Sequence, residues 1–140
     1  MDEKLKLYNK VGKFMKKNIL ILIAMSSLSL AVPTTVPDSI TGLEWQNTTA
    51  TNLTWTEAIS SCEDVGWRLA NKNELYTLVD DSKYNPSIND AFVATTESNP
   101  YWTSTTSSKD KNHAWSINFL DGSSSKLNKS STASVRCVRD

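Results

Sequence analysis

The sequence predicts a small α+β domain, with two short helices packed on a twisted antiparallel sheet and one disulfide. Three observations carry that expectation. The patterns Thr54-x-x-Glu57 and Asn71-x-x-Glu74 each open an apolar stripe of helical spacing, the last forty residues are strand-like, and two cysteines stand far apart at Cys62 and Cys137. Helices first and strands after is an α+β order. A chain of 140 residues holds one such core, because two would each bury too little apolar surface to offset chain entropy.

Residues 1–31 have a different composition. Lys4, Lys6, Lys10, Lys13, Lys16 and Lys17 precede the apolar run 19–25, and small residues follow at Ser29 and Ala31. That order is the one found in a secretory signal peptide, with cleavage expected between Ala31 and Val32. Met15, followed by Lys16 and Lys17, also has the form of a signal start, so the true start is either Met1 or Met15. The apolar run is short and diluted by serines, below the ~20 residues that span a bilayer, so no membrane span is expected after cleavage. Of fifteen basic and fifteen acidic residues the leader takes six and two, leaving nine against thirteen, a formal charge of −4. An exported, mildly acidic chain without a basic stripe is a poor partner for nucleic acid. Two cysteines in an exported chain predict a disulfide, which would stabilise the fold by about 4 kcal/mol in the chain-entropy account.

The elements follow in order. Residues 32–39, with two prolines, read as an extended lead-in, and the domain proper is expected over residues 40–140. Ile40, Leu43 and Trp45 around Gly42 suit a short strand. In the first helix Trp55, Ala58, Ile59, Cys62 and Val65 share a face and Gly66 ends it. Leu75, Leu78 and Val79 form the stripe of the second helix, N-capped by Asn71. Residues 80–100 lose all periodicity and read as a long loop pinned by Ile88, Phe92 and Val93, and a loop of that length is usually functional. Tyr101 to Thr105 suits a strand rather than a nucleophile segment, since aromatic and β-branched residues fit a pleated surface. His113, Trp115, Ile117 and Phe119 alternate with Ala114, Ser116 and Asn118, Asp121-Gly122 makes a turn, residues 125–129 return, and residues 134–140 form a last strand carrying Cys137.

Chemistry is sparse. The one histidine, His113, begins a strand, and no Gly-x-Ser-x-Gly or Ser-x-x-Lys motif accompanies the hydroxyl run, so an enzyme is not expected. Asp80, Asp81, Asn85, Asn89 and Asp90 offer oxygens suited to calcium, without EF-hand spacing; no other cofactor is implied. Lys109, Lys111, Lys126 and Lys129 are the candidate cations for an anionic ligand, expected along one rim around the strand at 113–119.

The ordered motifs "TGLEWQN", "TWTEAISSCEDVGWRLANKNELYTLVD", "NPSIND", "YWTSTTSS", "HAWSINFLDG" and "VRCVR" resemble the bacterial DUF1566 domain, the C-terminal domain family of the Legionella collagen-like adhesin, from about Thr41 to Arg139. The resemblance implies a C-type-lectin-like fold related to the Fibrobacter succinogenes paralogous domains, export, and binding of sulfated glycosaminoglycans. It also implies that Cys62 and Cys137 join the first helix to the last strand and that Trp45, Trp67, Trp102 and Trp115 fill the core. The chain departs from the pattern at Ala70, where proline is usual. It lacks a preceding collagen-like repeat and the EPN, QPD and WND sugar motifs, so calcium-dependent sugar binding is not carried over. The expected function is therefore an exported, non-enzymatic module recognising a glycan or a host or envelope surface protein. A structural domain assembling with an envelope partner or with its own copies is the alternative. A formylglycine-generating-type enzyme on a related fold would need a reactive cysteine pair.

Overall fold

Both helices begin where their boxes predict. The Glu57 carboxylate accepts from the Thr54 N–H at 2.8 Å and from its hydroxyl at 2.7 Å, opening α1 (Trp55–Glu63). At α2 (Lys72–Tyr76) the exchange is reciprocal. Asn71 Oδ1 accepts from the Glu74 N–H at 3.0 Å, and Glu74 Oε2 accepts from the Asn71 N–H at 2.8 Å. The computed structural model describes residues 34–140; the signal segment expected over residues 1–31 lies outside the described residues.

Nine strands accompany the helices among the described residues: β1 (Thr35–Pro37), β2 (Glu44–Gln46), β3 (Ala50–Leu53), β4 (Arg68–Leu69), β5 (Pro100–Thr106), β6 (His113–Asn118), β7 (Ser123–Asn128), β8 (Ala133–Val135) and β9 (Cys137–Arg139). The molecule is α+β, but the expected single antiparallel sheet is two sheets. One has the order β1-β2-β9-β4; the other has the order β3-β8-β5-β6-β7, in which β8 runs parallel to β5. Such pairings are non-local, so no short pattern encodes them.

The five-stranded sheet is covered on both faces. Successive residues of β5 point to different cores, as the pleat requires. Tyr101 joins Trp45, Leu75, Ile88, Ile117 and Phe119, whereas Trp102 joins Ala58, Cys62, Ala114, Val135 and Cys137. Residues 113–119 were expected to be a half-buried strand. Instead Ala114 and Ser116 are as buried as Ile117, because α1 packs on their side. The disulfide Cys62–Cys137 ties α1 to β9, with 5.6 Å between Cα atoms, and both cysteines are buried.

Other differences have local causes. The lead-in supplies β1, which pairs with β2. Ile40 is 93 % exposed on the turn before β2, which the Asp38 carboxylate holds through Ile40 N and Thr41. Val65 lies past the end of α1 and is exposed, as is Val93, while Ile88 and Phe92 do pin the long loop. That loop contains a 3-10 helix, Asp90–Thr95, capped by Asn89. The single last strand is broken in two. Arg136 turns inward between β8 and β9 and donates to Gln46 O at 2.8 Å, Thr95 O at 3.2 Å and Thr96 Oγ1 at 2.8 Å, so the chain changes sheets there.

Candidate functional site

The β6–β7 hairpin and the first turn of α2 bring separate residue types to one face. In the hairpin register Trp115 lies directly opposite Lys126, so their side chains share a face. From α2, Lys72 reaches the same ring. Its Nζ is 3.6 Å from the Trp115 ring centroid, and the Lys126 Nζ is 5.0 Å from it, both within cation–π range. Neither ammonium is paired with a carboxylate among the described residues. Two unneutralised cations on one ring make a local positive potential on a chain whose residues 32–140 are acidic overall.

Lys72 is fixed by its backbone. Its N–H donates to Thr105 Oγ1 on β5 at 2.9 Å, and the Asn71–Glu74 box sets the helix start one residue earlier. Glu74 is itself gripped by Arg68 through two bonds of 2.8 and 3.0 Å, and Arg68 also holds Asp140 at 2.7 Å. Burial pushes the Glu74 carboxyl up, but the Arg68 guanidinium and the Asn71 N–H outweigh it and leave it below its ordinary value. Beside this ring, Lys72, Asn73, Tyr76 and Ser124 line an open depression of about 400 Å³. It presents an ammonium, an amide, a phenol and a hydroxyl together.

Of the four lysines marked from sequence, Lys126 alone is in this cluster. Lys129 lies on the other face of the sheet, with its Nζ 3.8 Å from the Trp55 ring centroid and 2.9 Å from Thr106 Oγ1. Its N–H donates to Asn112 O, which sets it near the turn holding Lys109 and Lys111. Between those two, Asp110 is taken by His113 Nδ1 at 2.8 Å. The expected rim is thus divided between two faces. Trp115 is half-buried under its two cations and belongs to neither core cluster, Trp67 is half-buried against the core that holds the disulfide with Arg139 over its ring at 4.3 Å, and Trp45 and Trp102 are fully buried.

The acidic loop already has a cation. Lys83 Nζ lies 3.0 Å from Asp80 and 2.7 Å from Asp90. The Ser82 hydroxyl, then Lys83, hold the Asp80 carboxyl down at about 2. Asn89 is used as a cap, Asp81 lies beside Gly122, and among the described residues no three His, Cys, Asp or Glu side chains gather as a metal group. The hydroxyl run is likewise structurally committed. Thr103 Oγ1 donates to Trp115 O, Thr105 Oγ1 receives Lys72 N–H, and Thr106 Oγ1 receives Lys129.

Residues 34–139, most of the chain, match the Lcl C-terminal domain family. The chain belongs to that family. No curated protein matches the chain. In this Lcl domain, Lys72, Asn73, Tyr76 and Ser124 are the residues that sequence reading did not mark. For the three on α2 the signal was the second capping box, which placed Lys72 at the first helical position, but nothing local tied that position to Trp115. Among the described residues of the Lcl domain no helix is long and apolar enough to cross a membrane.

Proposed function

We propose that this Lcl domain is an exported, non-enzymatic module that binds an anionic glycan, with a C-type-lectin-like arrangement of its sheets and helices. The observation that carries the reading is the Trp115 ring flanked by the Lys72 and Lys126 ammoniums, beside a depression that offers amide and hydroxyl groups. Sulfate or carboxylate substituents would meet the two cations, while sugar hydroxyls exchange hydrogen bonds with Asn73 and Ser124. Family membership supports the reading, and so does the chemistry elsewhere. The cysteines are buried in a disulfide, and His113 is engaged by Asp110.

An array of sulfated and unsulfated glycans, probed with calcium and with chelator, tests it. Saturable binding confined to sulfated glycans, indifferent to calcium and weakened by salt, is the expected outcome. Absence of binding to every glycan would defeat it.

A second reading, assembly with an envelope protein or a second copy, is favoured by one feature. Ile40 projects almost fully exposed at the lip of a cleft of about 290 Å³ whose lining includes Val36, Thr77, Leu78 and Phe92. A stable oligomer without glycan affinity would select this reading.

A further inference from the structure

A pair of cations accepts any polyanion, and the Asn73 amide and Ser124 hydroxyl bond any polar group, so none of these selects a sugar ring. The Trp115 ring cannot supply the missing element, because the ammoniums of Lys72 and Lys126 lie 3.6 and 5.0 Å from its centroid and it is half-buried. Tyr76 can. It stands at the end of α2 and lines the same depression as Lys72 and Ser124. Tyr76 is 45 % exposed and belongs to neither core cluster, whereas Leu75 and, just past the helix, Leu78 are buried in the core. The ring is therefore not needed to pack the domain. One face of a pyranose is lined by C–H groups, apolar and slightly positive, and an aromatic face carries the complementary negative quadrupole. An exposed ring within a polar, cationic depression has the composition of a pocket that reads both parts of one ligand.

We propose that Tyr76 makes this site select a sugar chain over other polyanions. Its ring stacks on the C–H face of a pyranose while Lys72 and Lys126 hold that sugar's anionic substituents. The proposal rests on the anionic-glycan reading above and adds to it a residue responsible for specificity.

The test uses two polysulfated probes, a heparin hexasaccharide and polyvinyl sulfate, of which only the first contains pyranose rings. Affinities for both are measured over a range of salt concentrations for the wild type, Tyr76→Ala, Tyr76→Phe and the double variant Lys72→Ala/Lys126→Ala. In Tyr76→Ala the preference for the hexasaccharide over polyvinyl sulfate should fall by about three- to tenfold, the range for losing one aromatic stacking contact, with the salt dependence kept. Tyr76→Phe, which retains the ring, should keep the wild-type preference. An unchanged preference in Tyr76→Ala, or a Tyr76→Phe variant that behaves like it, would overturn the role of Tyr76 while leaving the cationic site standing. Undiminished binding of both probes by the double lysine variant would overturn the cationic site itself, and the Tyr76 proposal with it.

Discussion

A guanidinium with no ion-paired carboxylate among the described residues sits in the interior at residue 136. Arg136 is fully buried, its centre 4.8 Å from the Phe92 ring, and two backbone carbonyls and the Thr96 hydroxyl accept its protons. Burial pushes its pKa down to about 10, so it remains charged at neutral pH. Its Nε has no partner among the described groups, which adds to the cost of placing it there. What it provides is a junction. It joins the end of the 3-10 helix to β2 at the point where the chain passes from one sheet to the other. Arg136→Met would keep the packing but strip donors from Gln46 O and Thr95 O. Denaturant unfolding should show a loss of about 1–3 kcal/mol. An unchanged midpoint would mean that those acceptors find other donors.

At the scale of elements, α2 links stability to recognition. It has five residues, too few to hold its shape without its cap, and that cap also fixes where Lys72 points. Asn71→Ala should lower stability by about 1 kcal/mol and also weaken binding of a sulfated glycan; thermal melts and titrations read the two effects separately. Loss of stability with binding intact would show that Thr105 alone fixes Lys72. The two helices were legible because each cap and stripe is a local device, complete within a dozen residues. Strands β1 and β3, three and four residues long, show no alternation that a reader could detect. The candidate site was half legible for the same reason. Lys126 could be marked from its own strand, whereas Lys72 joins Trp115 only through the contact of α2 with β6.

For the whole molecule, sheet order was beyond reach from sequence, since a parallel β5–β8 pair flanked by antiparallel neighbours depends on contacts across the full chain. The disulfide was readable, because the chain has two cysteines, which leave one pairing. The charge arrangement yields a global prediction. Glu44, Glu57, Glu74, Asp80, Asp110 and Asp121 are all held below their ordinary values, by hydrogen bonds with neighbouring hydroxyls, amides and cations. A carboxylate depressed in the folded state stabilises it above its unfolded pKa and loses that contribution as pH falls through the folded value. The unfolded values are 3.8 for Asp and 4.5 for Glu, and Asp80 reaches about 2 when folded. Melting temperature should therefore be nearly level from pH 7 to about 5 and decline steadily below about 4. A rise in that acid range would contradict the ion-pair assignments.

The proposed glycan site lies between α2 and the β6–β7 hairpin. Its most direct test is a heparin hexasaccharide titration of the protein followed by nuclear magnetic resonance, reading the Trp115 indole N–H and the signals of Lys72, Lys126 and Ser124. Progressive, saturable shifts are expected at those four, with Lys109, Lys111 and Lys129 left unchanged. Shifts confined to that second lysine group, around Trp55 and the β5–β6 turn, would contradict it.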